Sequence, residues 1–134
     1  NARQAKQIAE NRKVLLKALA DGGASIIFGT DAPQQFSVPG FSIHREMQAM
    51  RDAGMSNFAI LQSATKNVGE YMKARDAFGT VAPGQRADLV LLNANPLDDL
   101  GNVAKRAGVM VRGRWISEAD IQARLQKIAT ASAK

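Results

Sequence analysis

The residue with the most chemical promise is Asp31, which with Thr30 follows the apolar run Ala24-Ser25-Ile26-Ile27-Phe28-Gly29. A short apolar run without polar alternation, bounded by glycines, predicts a strand buried on both faces, as in a parallel sheet. A carboxylate at the carboxyl end of such a strand stands where α/β folds gather their active sites. It could take a proton from an attacking water, hand it to a leaving group, or offer one oxygen to a metal ion. Taken alone, an aspartate in this place reads first as a solvated loop residue or a cap for the next turn. Little else in the chain competes with it: there is no G-x-S-x-G elbow, no phosphate-cradling glycine loop, no GxGxxG after a strand and no HExxH. The absence of cysteine excludes disulfides, thiolate metal sites and cysteine nucleophiles, and the single histidine, His44, excludes an all-histidine metal site. His44 reads first as a partly exposed histidine held by local hydrogen bonds, next as a substrate contact, and last as a metal ligand.

The elements that would position these groups follow from periodicity and punctuation. At 134 residues and 46% hydrophobic, the chain is about one domain with enough apolar content for a core. From about Ala2 to Ala20, Ala5, Ile8, Leu15, Leu16 and Leu19 recur at helical spacing, and Asp21-Gly22-Gly23 stops the helix. After the apolar run, a loop punctuated by Pro33, Pro39 and Gly40 leads to a helix from about Ser42 to Ala53. On it, Ile43, Met47 and Met50 share one face, with Gly54 as the stop, and the methionines read as core filling. Ser56 caps a short helix carrying Ile60 and Leu61, and Asn67 is expected to cap another that runs to about Lys73. Helix, buried strand, loop and helices in this order predict the last units of a parallel α/β assembly.

The second half changes character. Pro83-Gly84 suits a type II turn, Arg86 to Asn93 reads as a strand, and Asn95-Pro96 breaks it. Val109-Met110-Val111 and Arg114-Trp115-Ile116 meet across Arg112-Gly113 as a tight hairpin, with Trp115 expected to cover the edge of the small sheet. Ser117 caps a final helix. Asp88 reads as a strand-start aspartate bonded to backbone. Asp98 and Asp99, adjacent in a loop, read as solvating charges.

The net charge of +6 is spread along the chain, at +2 for residues 1–40, +1 for 41–80 and +3 for 81–134. With seven aromatic residues and no aromatic-basic interleaving, it makes neither a phosphate-tracking stripe nor a base-stacking platform, so nucleic acid is not an expected partner. No apolar run approaches the length of a membrane span, and a cytoplasmic location is expected.

An ordered series of motifs runs through these elements. It comprises Ile27-Phe28-Gly29-Thr30-Asp31-Ala32-Pro33, His44-Arg45-Glu46-Met47, Ala64-Thr65-Lys66-Asn67, the run from Gly79 through Ala87-Asp88-Leu89-Val90 to Leu92, and Asn95-Pro96-Leu97. The series resembles the C-terminal end of the amidohydrolase superfamily, most of all its imidazolonepropionase and Xaa-Pro dipeptidase (prolidase-like) branch, over about residues 4 to 116. The resemblance implies an α/β fold made of the last units of a TIM-type (β/α)8 barrel, residues 1–79, followed by part of a small β-sandwich domain with a terminal helix, residues 80–134. This arrangement is incomplete on its own. It further implies hydrolysis of a C–N bond with a divalent metal, zinc first and one or two ions. Asp31 would then be both the catalytic proton shuttle and a metal ligand, and Thr30 and His44 would be substrate contacts. The His-x-His pair and later histidines of the family's metal site are not in this sequence, so the remainder of the polypeptide would have to supply them. The expected partners are that remainder and a small-molecule or peptide substrate, with self-association into a homo-oligomer left open. The alternative from another class is a stand-alone, non-catalytic structural or interaction domain.

Overall fold

The structure, a computed structural model, describes residues 1–132. Helix α1 spans Ala2–Asp21, with the Asn1 side chain accepting from the Arg3 N–H at 3.0 Å. It ends in a Schellman motif, in which the Ala24 N–H reaches the Leu19 carbonyl, the Gly23 N–H reaches that of Ala20, and Gly23 takes a φ of +78°. Helix α2, Ser42–Asp52, ends in the same way: Met55 and Gly54 donate to Met50 and Arg51, with Gly54 at +95°. Helix α3, Asn57–Ala64, is capped by the Ser56 hydroxyl, which accepts from the Ala59 N–H at 3.1 Å. Helix α4, Lys66–Met72, follows directly.

The core lies among these helices. Met47, Met50, Met55, Ile60 and Leu100 are buried, Ile60 completely, and Leu16, Ala20, Ile26, Phe28 and Val103 pack against them. The methionines are therefore core filling, as their spacing implies. Strand β1, Leu89–Leu92, pairs antiparallel with β2, Arg106–Val111, which pairs antiparallel with β3, Arg114–Ser117. The hairpin turns through Arg112 (φ +49°) and Gly113 (φ +80°), two positive dihedrals that match the right-handed strand twist. Helix α5, Glu118–Ser132, packs on β2 and β3, and the Ser117 hydroxyl accepts from the Asp120 N–H at 3.1 Å. A 3-10 turn, Leu100–Ala104, carries Leu100 back into the core of the first half, and Asn57 donates to the Leu97 carbonyl at 2.9 Å to hold the same docking. The expected type II turn is present, with Gly84 at +81° and the Gln85 N–H bonded to the Ala82 carbonyl.

Four expectations need correction. Residues 24–29 form no strand, because a strand needs at least one neighbour to pair with and the described residues place no ladder beside it. Nor are both faces buried: Ile26 and Phe28 pack on the core, while Ile27 is 43% exposed. The apolar stripe of α1 is likewise only partly covered, with Leu16 and Ala20 against the core and Ile8, Leu15 and Leu19 exposed. Asn67 does not cap α4 but lies within its first turn and donates to the Ile26 carbonyl at 2.9 Å. Trp115 covers the sheet interior, not its edge: a Cβ on Gly108, in the central strand, would meet the indole at 2.4 Å.

Candidate active-site aspartate and its supports

Asp31 lies at the end of the irregular 24–30 segment, exposed and with a φ of +51°. That left-handed conformation is uncommon for residues other than glycine, and aspartate is among those that tolerate it. It turns the chain sharply, and the Asp31 carbonyl then accepts from the Gln34 N–H at 3.2 Å. The half-buried Thr30 sits beside it, its hydroxyl 3.4 Å from the Ala32 N–H. Most acidic side chains have a partner, whether an ion pair, a side-chain donor or a backbone N–H. Among the described residues, only Asp31, Glu46 and Asp98 have none. Glu46 is on the outer face of α2 and Asp98 is in an exposed turn, so of the three only Asp31 ends a segment packed on the helical core.

Two long-range bonds hold the segment that delivers Asp31. Asn67 donates to the Ile26 carbonyl, and the Phe28 N–H donates to the Ser63 carbonyl at 3.1 Å. Sequence spacing gives no sign of the Asn67 bond, which joins residues 41 positions apart. Helix α4 in turn is seated glycine against glycine. A Cβ on Gly69 would fall 2.0 Å from the Phe78 carbonyl oxygen, and one on Gly79 (φ +98°) would fall 2.7 Å from that of Thr65.

His44 is not brought to Asp31. It is half-buried on α2 and lines a cavity of about 50 Å3 with Met47, Gln48, Leu100 and Gly101. No hydrogen bond joins it to Thr30 or Asp31 among the described residues. A larger cleft of about 320 Å3 opens between Ala20, Ser25, Ile26, Gln62 and Asn67, at the start of the 24–30 segment and away from Asp31. It is lined by apolar and uncharged polar groups, with no acidic, basic or histidine side chain among them.

A charge cluster missed by sequence reasoning joins the 76–88 region to the hairpin. The Arg86 guanidinium pairs with Asp76 and Asp88, reaching Asp88 at 2.6 Å, and stacks over the Phe78 ring at 4.5 Å. Asp88 also accepts from the Arg112 N–H at 2.7 Å. That backbone bond, with lesser help from Arg86, holds the Asp88 carboxyl below its ordinary range, and the bond to Asp88 raises Arg86. Asp88 is thus the backbone-bonded strand aspartate expected, although its partner lies 24 residues on. Glu118 is also lowered, by Gln122 first and then by the two-pronged Arg106 contact at 3.1 and 3.2 Å. Asp99 does more than solvate: it accepts from the Gly101 N–H at 2.9 Å and so starts the 3-10 turn.

The donor set sets the limit for metal chemistry. A catalytic zinc takes three protein ligands and a water. Among the described residues no three histidine, cysteine, aspartate or glutamate side chains gather to hold an ion, so Asp31 offers one oxygen and no centre.

Comparison with known proteins places the chain in a family. The family model described as the amidohydrolase family matches residues 1–116. The chain belongs to the amidohydrolase family. No curated protein matches it. Among solved structures it is similar to bottromycin amidohydrolase, with 32% identity and a TM-score of 0.76 over 92% of this chain and 27% of that one. A putative prolidase from Bifidobacterium longum gives 32%, 0.67, 84% and 29% in the same order. A Xaa-Pro dipeptidase with methionine bound in its active site gives 26%, 0.68, 78% and 25%. Prolidase-like proteins are thus among its neighbours, as the motifs imply. The chain spans between a quarter and a third of the length of these structures. No described helix is long and apolar enough to cross a membrane.

Proposed function

We propose that this chain is the C-terminal part of a hydrolase that cleaves a C–N bond in an amide or peptide, and that Asp31 is its proton-transfer residue. The observation that carries the reading is the free, exposed Asp31 carboxylate on a left-handed turn, supported by the family match around it. A carboxylate with no ion pair is available to accept the proton of an attacking water. It can then deliver that proton to the departing nitrogen, which leaves as a neutral amine. Thr30 and His44 flank the same loop and are proposed to meet the substrate. A divalent metal, zinc first, would when bound acidify the attacking water, with its other ligands contributed by the remainder of the polypeptide. In this reading residues 24–29 become the eighth strand of a TIM-type barrel, residues 1–79 close that barrel, and residues 80–134 complete a small β-sandwich with strands from elsewhere in the protein. The exposed apolar residues Ile8, Leu15, Leu19 and Ile27 support this, since surface of that kind is normally covered. The similarity to a Xaa-Pro dipeptidase and a prolidase favours a peptide substrate.

The test is steady-state kinetics on the intact protein. Asp31→Asn keeps the volume and removes the basic lone pair, so kcat should fall by roughly 10²–10⁴ with little change in KM. His44→Ala should act chiefly on KM. Turnover near that of the wild type in an Asp31→Asn protein of unchanged metal content removes Asp31 from the mechanism.

A further inference from the structure

The loop from Asp31 to α2 is more than a connection. The Gln34 N–H is bonded to the Asp31 carbonyl at 3.2 Å and the Ser37 N–H to that of Gln34 at 2.9 Å. The N–H groups of Phe41 and Ser42 both reach the Val38 carbonyl, and the Ser42 hydroxyl accepts from the Val38 N–H at 2.8 Å. These consecutive turns fix the tip of the loop relative to Asp31. At the tip stands Phe36, 87% exposed and with a φ of +63°. Joining a half-buried segment to a helix requires neither property. Glycine or asparagine would take the dihedral more readily, and a polar side chain would suit water better. The residues from Ala32 to Ile43 also carry no charge at all, in a chain that is 22% charged. Val38 and Phe41 of the same loop are exposed as well, so the loop carries uncharged, exposed apolar side chains directly after the free carboxylate.

We propose that Phe36 is a specificity-determining residue that meets an apolar or aromatic substituent of the substrate cleaved beside Asp31. This rests on the reading of Asp31 above and adds the chemical class of group that reading leaves open. The competing occupant of the Phe36 ring is another part of the same polypeptide, and the two differ in what a truncation does. A substrate contact changes the ranking of substrates. A packing contact lowers stability and all rates alike.

The experiment compares the intact wild-type protein with Phe36→Ala and Phe36→Leu on the dipeptides Gly-Pro, Ala-Pro, Leu-Pro and Phe-Pro, with thermal melting alongside. The wild type should favour Leu-Pro and Phe-Pro, and Phe36→Ala should lower the Phe-Pro to Gly-Pro ratio of kcat/KM about tenfold or more, with Phe36→Leu between. An unchanged ratio in both variants overturns the inference, as does a uniform fall for all four peptides together with a lower melting temperature. If Asp31→Asn proves fully active while the ratio shifts, the proton-transfer reading fails and the specificity role stands. If no peptide is cleaved, the peptide reading fails, and calorimetry with L-phenylalanine and glycine decides. A preference for phenylalanine that Phe36→Ala abolishes supports the inference, and no preference overturns it.

Discussion

Replacing Asn67 with alanine should loosen the segment that delivers Asp31 while leaving the rest of the fold in place. The Asn67 side chain bonds the Ile26 carbonyl at 2.9 Å in a half-buried setting. Losing a net hydrogen bond and leaving a partly buried carbonyl without its donor costs about 1–2 kcal/mol. Alanine returns roughly 0.5 kcal/mol of that through its better helix propensity in α4. The balance is a local destabilisation of about 0.5–1.5 kcal/mol, small against global stability but visible where the segment is tethered. The reporter is the Phe28 amide, whose bond to the Ser63 carbonyl is the second tether of the same segment. Its hydrogen exchange should quicken about 2- to 13-fold, the factor that this range of free energy gives for a local opening. Asn57→Ala is the control, because it removes a bond of the same kind, to the Leu97 carbonyl, at the opposite end of α3 from Ser63. Unchanged exchange at Phe28 in Asn67→Ala refutes the reasoning, and so does an equal change in Asn57→Ala.

Two further outcomes follow from contacts elsewhere. Gly69→Ala should destabilise the intact protein by roughly 1–3 kcal/mol, because its Cβ would collide with the Phe78 carbonyl and the resulting shift exceeds the helix-propensity gain. Urea unfolding checks this, and a variant as stable as the wild type means that the two glycines do not touch. The Asp88 carboxyl is held below its ordinary value of 3.8, chiefly by the Arg112 N–H, so its contribution to stability is present above that value and lost as pH falls through the lower, folded one. Melting temperatures recorded from about pH 5 down to about pH 2.5 should therefore fall less steeply in Asp88→Asn than in the wild type. Identical acid limbs would refute the assignment.

How much of this was legible in the sequence depends on how far each contact reaches. Both glycine-terminated helices, the Ser56 and Ser117 caps, the Pro83-Gly84 turn and the Arg112-Gly113 hairpin are settled within six residues, and the structure contains all of them. The misreadings lie where the deciding partner is distant. Asn67 has the composition and position of a cap, yet the Ile26 carbonyl, 41 residues away, takes its amide. The Arg86 cluster depends on the chain folding back so that Asp76, Phe78 and Asp88 surround one guanidinium, and no periodicity encodes that. Trp115 is drawn inward by Gly108, whose missing side chain leaves room for the indole in the centre of the sheet. The run 24–29 is apolar, but apolar composition alone does not say whether neighbouring strands are at hand to pair with it.

That last case bears directly on the site. Ile26 and Phe28 turn to the helical core and Ile27 turns away, an alternation that leaves one side of the segment anchored and the other open. The anchored side is held through Asn67 and Ser63, and these sit on helices whose own placement depends on Ile60 at the centre of the core and on the Gly69–Gly79 approach. Each link is a short-range contact with little slack, so the backbone position of Asp31 is set by packing remote from it. Its carboxylate has no partner among the described residues. Rigid placement of a group whose bonding capacity is unspent is what proton transfer requires: a salt-bridged carboxylate would be a poorer base, and an untethered one would seldom hold the geometry. Asp88 and Asp76 show the opposite arrangement within the same chain, fully engaged by Arg86 and backbone. The contrast between the acids that brace the fold and the free carboxylate at the end of the tethered segment is the physical argument for assigning the chemistry to Asp31.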